Sequence, residues 1–271
     1  MAHPDQLDFV RTISQHLSDD WTDKRVLEIG SYQVNGSIRP FFQGSAYLGV
    51  DLMEGAGVDV VSEGSELDRP DEIFDLSVSC ECFEHNPKWL ATFLNMYRMT
   101  RKGGAVVFTC AAKGRLEHGT TRTGPESSPG TQIVGWDYYM NLTEREFTKK
   151  LDMDKLFDSH FFITNRYACD LYFIGIKRGN EQVFRFEGQS LREECVRVRE
   201  QRRCAEEAQS RFPAIIRFAS RLTYLPVLLA RALPDRHYQN LALRYHEIRE
   251  RVKVPMKHSV EALLARISRG R

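Results

Sequence analysis

The chain has 271 residues, 42% hydrophobic and 28% charged, an ordinary globular composition with room for one sizeable domain and an appendage. Its net charge of +1 conceals an asymmetry: residues 191–271 hold 18 Lys/Arg against 9 Asp/Glu, and the first 190 hold 20 against 28, so a body near −8 precedes a tail near +9. The opening Met-Ala-His-Pro has no basic stretch followed by an apolar run, and no segment approaches the roughly 20 apolar residues of a membrane span. A secreted or membrane-spanning protein is therefore disfavoured and a cytoplasmic one expected. The six cysteines, Cys80, Cys82, Cys110, Cys169, Cys195 and Cys204, are scattered, and Cys80-Glu81-Cys82 lacks the spacing of a zinc pair.

Leu7, Val10, Ile13 and Leu17 recur at helical spacing and predict a helix over 5–18. Short β-branched runs at 25–29, 46–50, 58–61, 74–79 and 105–110 alternate with turns or helical stretches, the pattern of a parallel sheet covered by helices. Residues 87–100 carry one apolar face (Trp89, Leu90, Phe93, Leu94, Tyr97), with Lys102-Gly103-Gly104 expected to end that helix before the strand at 105. A Gly, Thr, Ser and Pro-rich loop over 111–142 is too long for a simple connection and reads as a lid or a functional loop. A helix at 143–151 and a hairpin of strands, 160–167 and 170–177, follow. Beyond Gly188 the chain turns helical and charged, punctuated by Pro213, Pro226, Pro234 and Pro255.

Two strand ends carry the first chemistry. Val26-Leu27-Glu28-Ile29-Gly30-Ser31, running on through Gly36, is a strand that ends in an acid and a glycine turn, where backbone can approach a ligand. It is not a dinucleotide fingerprint, since no central glycine lies between Gly30 and Gly36 and Glu28 would repel a pyrophosphate; a cationic ligand end suits it better. Tyr47-Leu48-Gly49-Val50-Asp51 ends a second strand in an aspartate about 20 residues later, where nucleotide-binding α/β folds hold the ribose hydroxyls.

These stretches, with Phe74-Asp75-Leu76 running into Glu84-His85 and Lys102-Gly103-Gly104 before a strand, resemble class I S-adenosylmethionine-dependent methyltransferases. More narrowly, Gly30-Ser31 to Ser37 and Gly49-Val50-Asp51 with Gly57-Val58-Asp59-Val60-Val61 are similar to a bacterial and phage subfamily often encoded near surface-polysaccharide genes. The resemblance covers about residues 24–178. It implies a Rossmann-like, seven-stranded sheet with helices on both faces in a domain over 1–187, followed by a basic helical extension over 188–271. It further implies that Glu28, Gly30, Ser31 and Gly36 form the methionine-end turn and that Asp51 takes the ribose. Glu63 with Gly64 then meets the adenine, and Ser79 and Cys80 line the methionine moiety.

Two histidines compete as the base towards an acceptor hydroxyl: His85, opening the helix after the fourth strand, and His118, in the long loop after the fifth. Trp136-Asp137-Tyr138-Tyr139 reads as an aromatic wall for a ring substrate, with Asp137 orienting the base or an acceptor hydroxyl. No metal site is expected, because His85, His118 and the nearby acids lack a local ligand spacing.

The expected function is therefore transfer of a methyl group from S-adenosylmethionine to a small hydroxylated acceptor or glycan. N-methylation and a non-catalytic binding domain are the alternatives. Nucleic acid is disfavoured as a partner, because the cofactor region is acidic and the basic tail has few interleaved aromatics. In that tail, residues 211–233 mix apolar side chains with Arg217 and Arg221, four apart. The stretch suits a helix lying on an anionic membrane surface, or a cap packed on the domain or on a second subunit, the cap being favoured.

Overall fold

The computed structural model describes residues 4–181, 183–184, 186–209, 229–248 and 251. The elements run α1 (Pro4–Leu17), β1 (Arg25–Ile29), β2 (Ala46–Asp51), β3 (Val60–Val61), β4 (Phe74–Cys80), α2 (Trp89–Met99) and β5 (Thr100–Ala111). They continue through α3 (Pro129–Ile133), α4 (Glu144–Thr148), α5 (Met153–Leu156), β6 (Phe157–Asn165), β7 (Asp170–Lys177) and α6 (Gly188–Gln209). The seven strands form one sheet in the order β3-β2-β1-β4-β5-β7-β6. The first five are parallel, and β7 runs antiparallel to both β5 and β6. This is the Rossmann-like methyltransferase sheet expected from the sequence. Strand order reverses between β1 and β4, which opens a crevice at their carboxyl ends, the place where open α/β sheets bind ligands.

Both sheet faces are covered, so the central strands read as continuous apolar runs; every residue of β4 is buried. On one face α2 and α4 set Trp89, Phe93, Met96 and Phe147 against Leu27, Val106, Phe108 and Phe173. On the other, α1 sets Phe9, Val10, Ile13 and Leu17, and α6 sets Leu191 and Cys195, against Val26, Leu76, Val78 and Val107.

Three elements depart from expectation, each for a local reason. Helix α2 stops at Met99 rather than at the glycine pair. The buried Lys177 ammonium donates to the carbonyls of Tyr97 (3.0 Å) and Thr100 (2.7 Å), satisfying the orphan acceptors of that helix end. Gly103 instead lies inside β5 at φ +70°, packed so closely on the backbone of Glu181 that a side chain would collide with it. Strand β3 keeps only two residues because Asp59 is used in a clasp: its N–H donates to the Gly49 carbonyl (2.8 Å), while its carboxylate accepts from the Gly49 N–H (2.7 Å) and from Arg39 (2.9 Å). The helix expected at 143–151 is two short turns. A capping box of Thr143 and Glu146 starts α4, and Asp152 accepts from the Lys155 N–H (3.2 Å) to start α5.

The chain divides into two compact units, 1–211 and 212–271. In the first, α6 packs along α1 and Arg202 pairs with Asp8, so this unit runs past the boundary expected at 187. In the second, residues 235–248 are helical, beginning directly after Pro234. Most of the apolar and basic stretch at 211–233, including Arg217 and Arg221, lies outside the described residues. No helix among the described residues is long and apolar enough to cross a membrane.

Candidate active site

The crevice is built from the strand ends upward. Gly30, at φ +83°, turns the chain out of β1; a side chain there would meet the Cys82 Cβ at 2.8 Å. The N–H groups of Gly30 and Ser31 both donate to the Val50 carbonyl (2.9 and 3.1 Å), tying the turn to the end of β2. Asp51, the last residue of β2, accepts from the N–H groups of Tyr32 (3.0 Å) and Leu52 (2.7 Å). These bonds aim its carboxylate across the crevice, and burial raises its pKa despite them.

Above the strand ends lies a cavity, at the place where open α/β sheets form small-molecule sites. Ile29, Val50 and Leu52 give it an apolar floor, and Ser62, Glu63 and Gly64 form one end. Glu81, Cys82, His85 and Asn86 form the opposite, polar wall. Residues 127–131 and Trp136 close over it from the long loop, with Gly130 so close that a side chain there would lie 3.0 Å from Asp51 Oδ1. The loop expected to be a lid therefore forms part of the cavity.

Three carboxylates, Asp51, Glu63 and Glu81, line this cavity, and among the described lining residues there is no Lys or Arg. Such a lining disfavours phosphates and suits a ligand with positive charge beside an apolar surface. The glycine turn, the aspartate at the end of β2 and the strand order meet at one place, and residues 36–108 match a family model described as a methyltransferase domain. The sheet order is that of the Rossmann-like methyltransferase fold, and the matched segment carries Asp51 and Glu81 of the cavity lining.

No curated protein matches the chain. Solved structures similar to this methyltransferase domain include phosphoethanolamine N-methyltransferase 2 of Haemonchus contortus, in complex with phosphomonomethylethanolamine and S-adenosylhomocysteine. That match has 15% identity and a TM-score of 0.45, over 63% of this chain and 52% of the other. The Burkholderia thailandensis 1,6-didemethyltoxoflavin-N1-methyltransferase matches at 18% identity and a TM-score of 0.41, over 58% of this chain and 72% of the other. The YcgJ protein of Bacillus subtilis matches at 11% and 0.44, over 64% and 99%. The chain spans about half the length of the Haemonchus enzyme.

The residues present fit S-adenosylmethionine, the cofactor expected from the sequence: Asp51, Glu63 and Glu81 stand around an apolar floor of Ile29, Val50 and Leu52. The structure separates the expected cofactor residues into two groups. Gly30, Asp51, Glu63 and Gly64 line the cavity. Glu63 is held by Lys88 (2.9 Å) and by the Ser65 hydroxyl. The other five do not line it. Glu28 points to the opposite sheet face, where it accepts from the Tyr47 hydroxyl (2.7 Å), and burial raises its pKa to about 7. Alternation along a strand is the reason: Ile29 faces the cavity side, so Glu28 cannot. Ser31 is buried in the turn beside Gly49, Gly36 is exposed, and Ser79 and Cys80 are enclosed in β4, with burial pushing the Cys80 thiol up.

His85 and His118 do meet, ring to ring at 4.9 Å, and Tyr139 touches both at 5.4 and 5.1 Å. His85 lines the cavity, while His118 stands behind it with Nδ1 3.0 Å from the Leu116 carbonyl. Burial and the neighbouring His118 hold the His85 pKa well below the usual histidine value, and burial lowers that of His118. Both rings are therefore neutral near pH 7. Asp137 does not join them: it is exposed and clasps Thr121, accepting from its N–H (2.8 Å) and hydroxyl (2.7 Å).

Glu81 escaped the sequence reading. It has φ +49°, an unusual conformation for a non-glycine residue at a strand end. Its neighbour Glu84 is fully buried, and burial together with Glu81 raises the Glu84 pKa well above the carboxylate range. Nothing in Cys80-Glu81-Cys82 marked a site residue, because its prominence comes from a backbone angle.

Proposed function

We propose that the protein transfers the methyl group of S-adenosylmethionine to an oxygen of a small hydroxylated acceptor, with sugars as the acceptor class. The single observation that carries the cofactor half is the cavity lined by Asp51, Glu63 and Glu81 without a basic side chain. The donor supplies a methyl carbon activated by a positively charged sulfur. Asp51 accepts from the ribose hydroxyls, Glu63 lies at the adenine end, and the Gly30 turn leaves room for the methionine part. Transfer is an in-line displacement, so the chain's main contribution is alignment.

The polar wall bearing His85 is the acceptor side. Trp136 on the cavity and Tyr139 beside the histidine pair offer ring faces suited to a sugar. The resemblance to a subfamily encoded near surface-polysaccharide genes supports the same class. His85 is the histidine placed to take the hydroxyl proton, and His118 buttresses it. A second reading, N-methylation, is favoured by one observation: the Glu81 carboxylate on the same wall would attract an amine.

Incubation with methyl-labelled S-adenosylmethionine and a panel of free sugars, nucleotide-linked sugars and amines tests the assignment. Label in an alkali-stable ether of a sugar is the expected result. Label on amines alone would replace it with the second reading, and binding without transfer to any acceptor would make this a binding domain.

A further inference from the structure

The cluster behind the polar wall holds more ligating groups than methyl transfer calls for. Glu84 and His85 sit on the short 3-10 turn Phe83–His85 after β4, and His118 on the loop after β5. One ligating atom from each lies within 4.8 Å of the others. Glu84 is fully buried with Glu81 beside its carboxylate; His85 is 4% exposed, and its Nδ1 has no hydrogen-bond partner among the described residues. The His118 contact fixes a tautomer. Because the Leu116 carbonyl can only accept, Nδ1 carries the proton and Nε2 keeps its lone pair, the arrangement by which metal-binding histidines are oriented.

The cluster adjoins a buried polar group in which Arg115 stands 3.3 Å from Asp170 and 4.0 Å from Glu81.

We propose that Glu84, His85 and His118 bind one divalent transition-metal ion through a carboxylate and two imidazoles. Two nitrogen donors suit Zn²⁺, Fe²⁺ or Co²⁺ and disfavour Mg²⁺ and Ca²⁺, which take oxygen ligands. His85 also lines the cavity, so the ion would lie next to the acceptor side, where it would polarise an acceptor oxygen as a Lewis acid. In the metal-loaded protein the two imidazoles are ligands and the acceptor proton passes to solvent; in the metal-free protein His85 is the group placed to take it. The Lewis-acid use rests on the oxygen-transfer reading; the binding of the ion does not.

Full-length protein stripped with a chelator and titrated with Co²⁺, followed by visible absorption, tests the site. One equivalent should give d–d bands that Zn²⁺ abolishes, and Glu84→Gln and His118→Ala should each weaken Co²⁺ binding by at least about tenfold. Calorimetry with S-adenosylhomocysteine shows that each variant is folded. It also separates the two readings, since retained cofactor binding without Co²⁺ binding sinks only the metal site. Should a variant not fold, histidine NMR of the wild-type protein decides: one equivalent of Zn²⁺ must shift two of the eight histidine ring signals. No d–d bands at one equivalent, equal Co²⁺ affinity in the folded variants, or unmoved ring signals would overturn the proposal.

Discussion

Replacing Glu28 by Gln isolates a buried charge that the fold, rather than the cofactor, has to accommodate. Burial raises the Glu28 pKa from its ordinary 4.5 to about 7, partly offset by the Tyr47 hydroxyl bond. Between those two values the folded protein binds more protons than the unfolded chain. The stability this group provides is therefore fully present below about pH 4.5 and is lost as pH rises through about 7. A rise of that size corresponds to about 3 kcal/mol, an order-of-magnitude figure at about 1.4 kcal/mol per pK unit. Glutamine keeps the shape and still accepts from Tyr47 without the charge. Urea unfolding should then show Glu28→Gln more stable than wild type by about 2–3 kcal/mol at pH 8.5, and within about 1 kcal/mol of it near pH 4.5. Parallel pH profiles for the two proteins would refute the reasoning. Calorimetry on the same samples provides an independent check: S-adenosylhomocysteine affinity should stay within about threefold, and a loss of tenfold or more, about 1.4 kcal/mol, would mean that the carboxylate reaches the ligand after all.

Asp51→Ala should lose about 1.5–3 kcal/mol of S-adenosylmethionine affinity, the value of hydrogen bonds to a charged group, as read by titration calorimetry. His85→Ala should cut turnover by about 10²–10⁴-fold with cofactor affinity nearly intact, and His118→Ala should cut it less, because only His85 lines the cavity; steady-state rates with a saturating acceptor compare them. Phe93→Ala removes a fully buried ring that meets Phe108, Phe147 and Phe173. It should destabilise the fold by about 3–5 kcal/mol in denaturant titrations. For the basic tail, flotation with anionic and neutral liposomes should show no binding at low salt if it packs as a cap; capture by anionic vesicles alone would establish a membrane surface contact.

The sheet was legible in the residues because strand and helix periodicities are local properties. Val26 to Gly30 and Tyr47 to Asp51 each carry their strand and its turn within half a dozen residues, so the strand ends at Gly30 and Asp51 that line the cavity could be read from them. Local pattern also carried Glu63-Gly64 and the length of the 111–142 loop. It failed where a side chain's direction or a distant partner decided the outcome. Glu28 and Asp51 look alike in sequence, two acids near strand ends, yet the two-residue alternation of β1 turns Glu28 onto Tyr47 on the far face, while Asp51 stays on the cavity. The end of α2 depended on Lys177, a residue far along the chain whose ammonium reaches the helix carbonyls only once β7 has paired with β5. Asp137 had the chemistry of a site residue but is consumed in holding Thr121. Glu84, His85 and His118 show no ligand spacing along the chain. They meet because β4 and β5 are neighbours in the sheet and both end at the same edge, a juxtaposition created by strand pairing and invisible to any local motif.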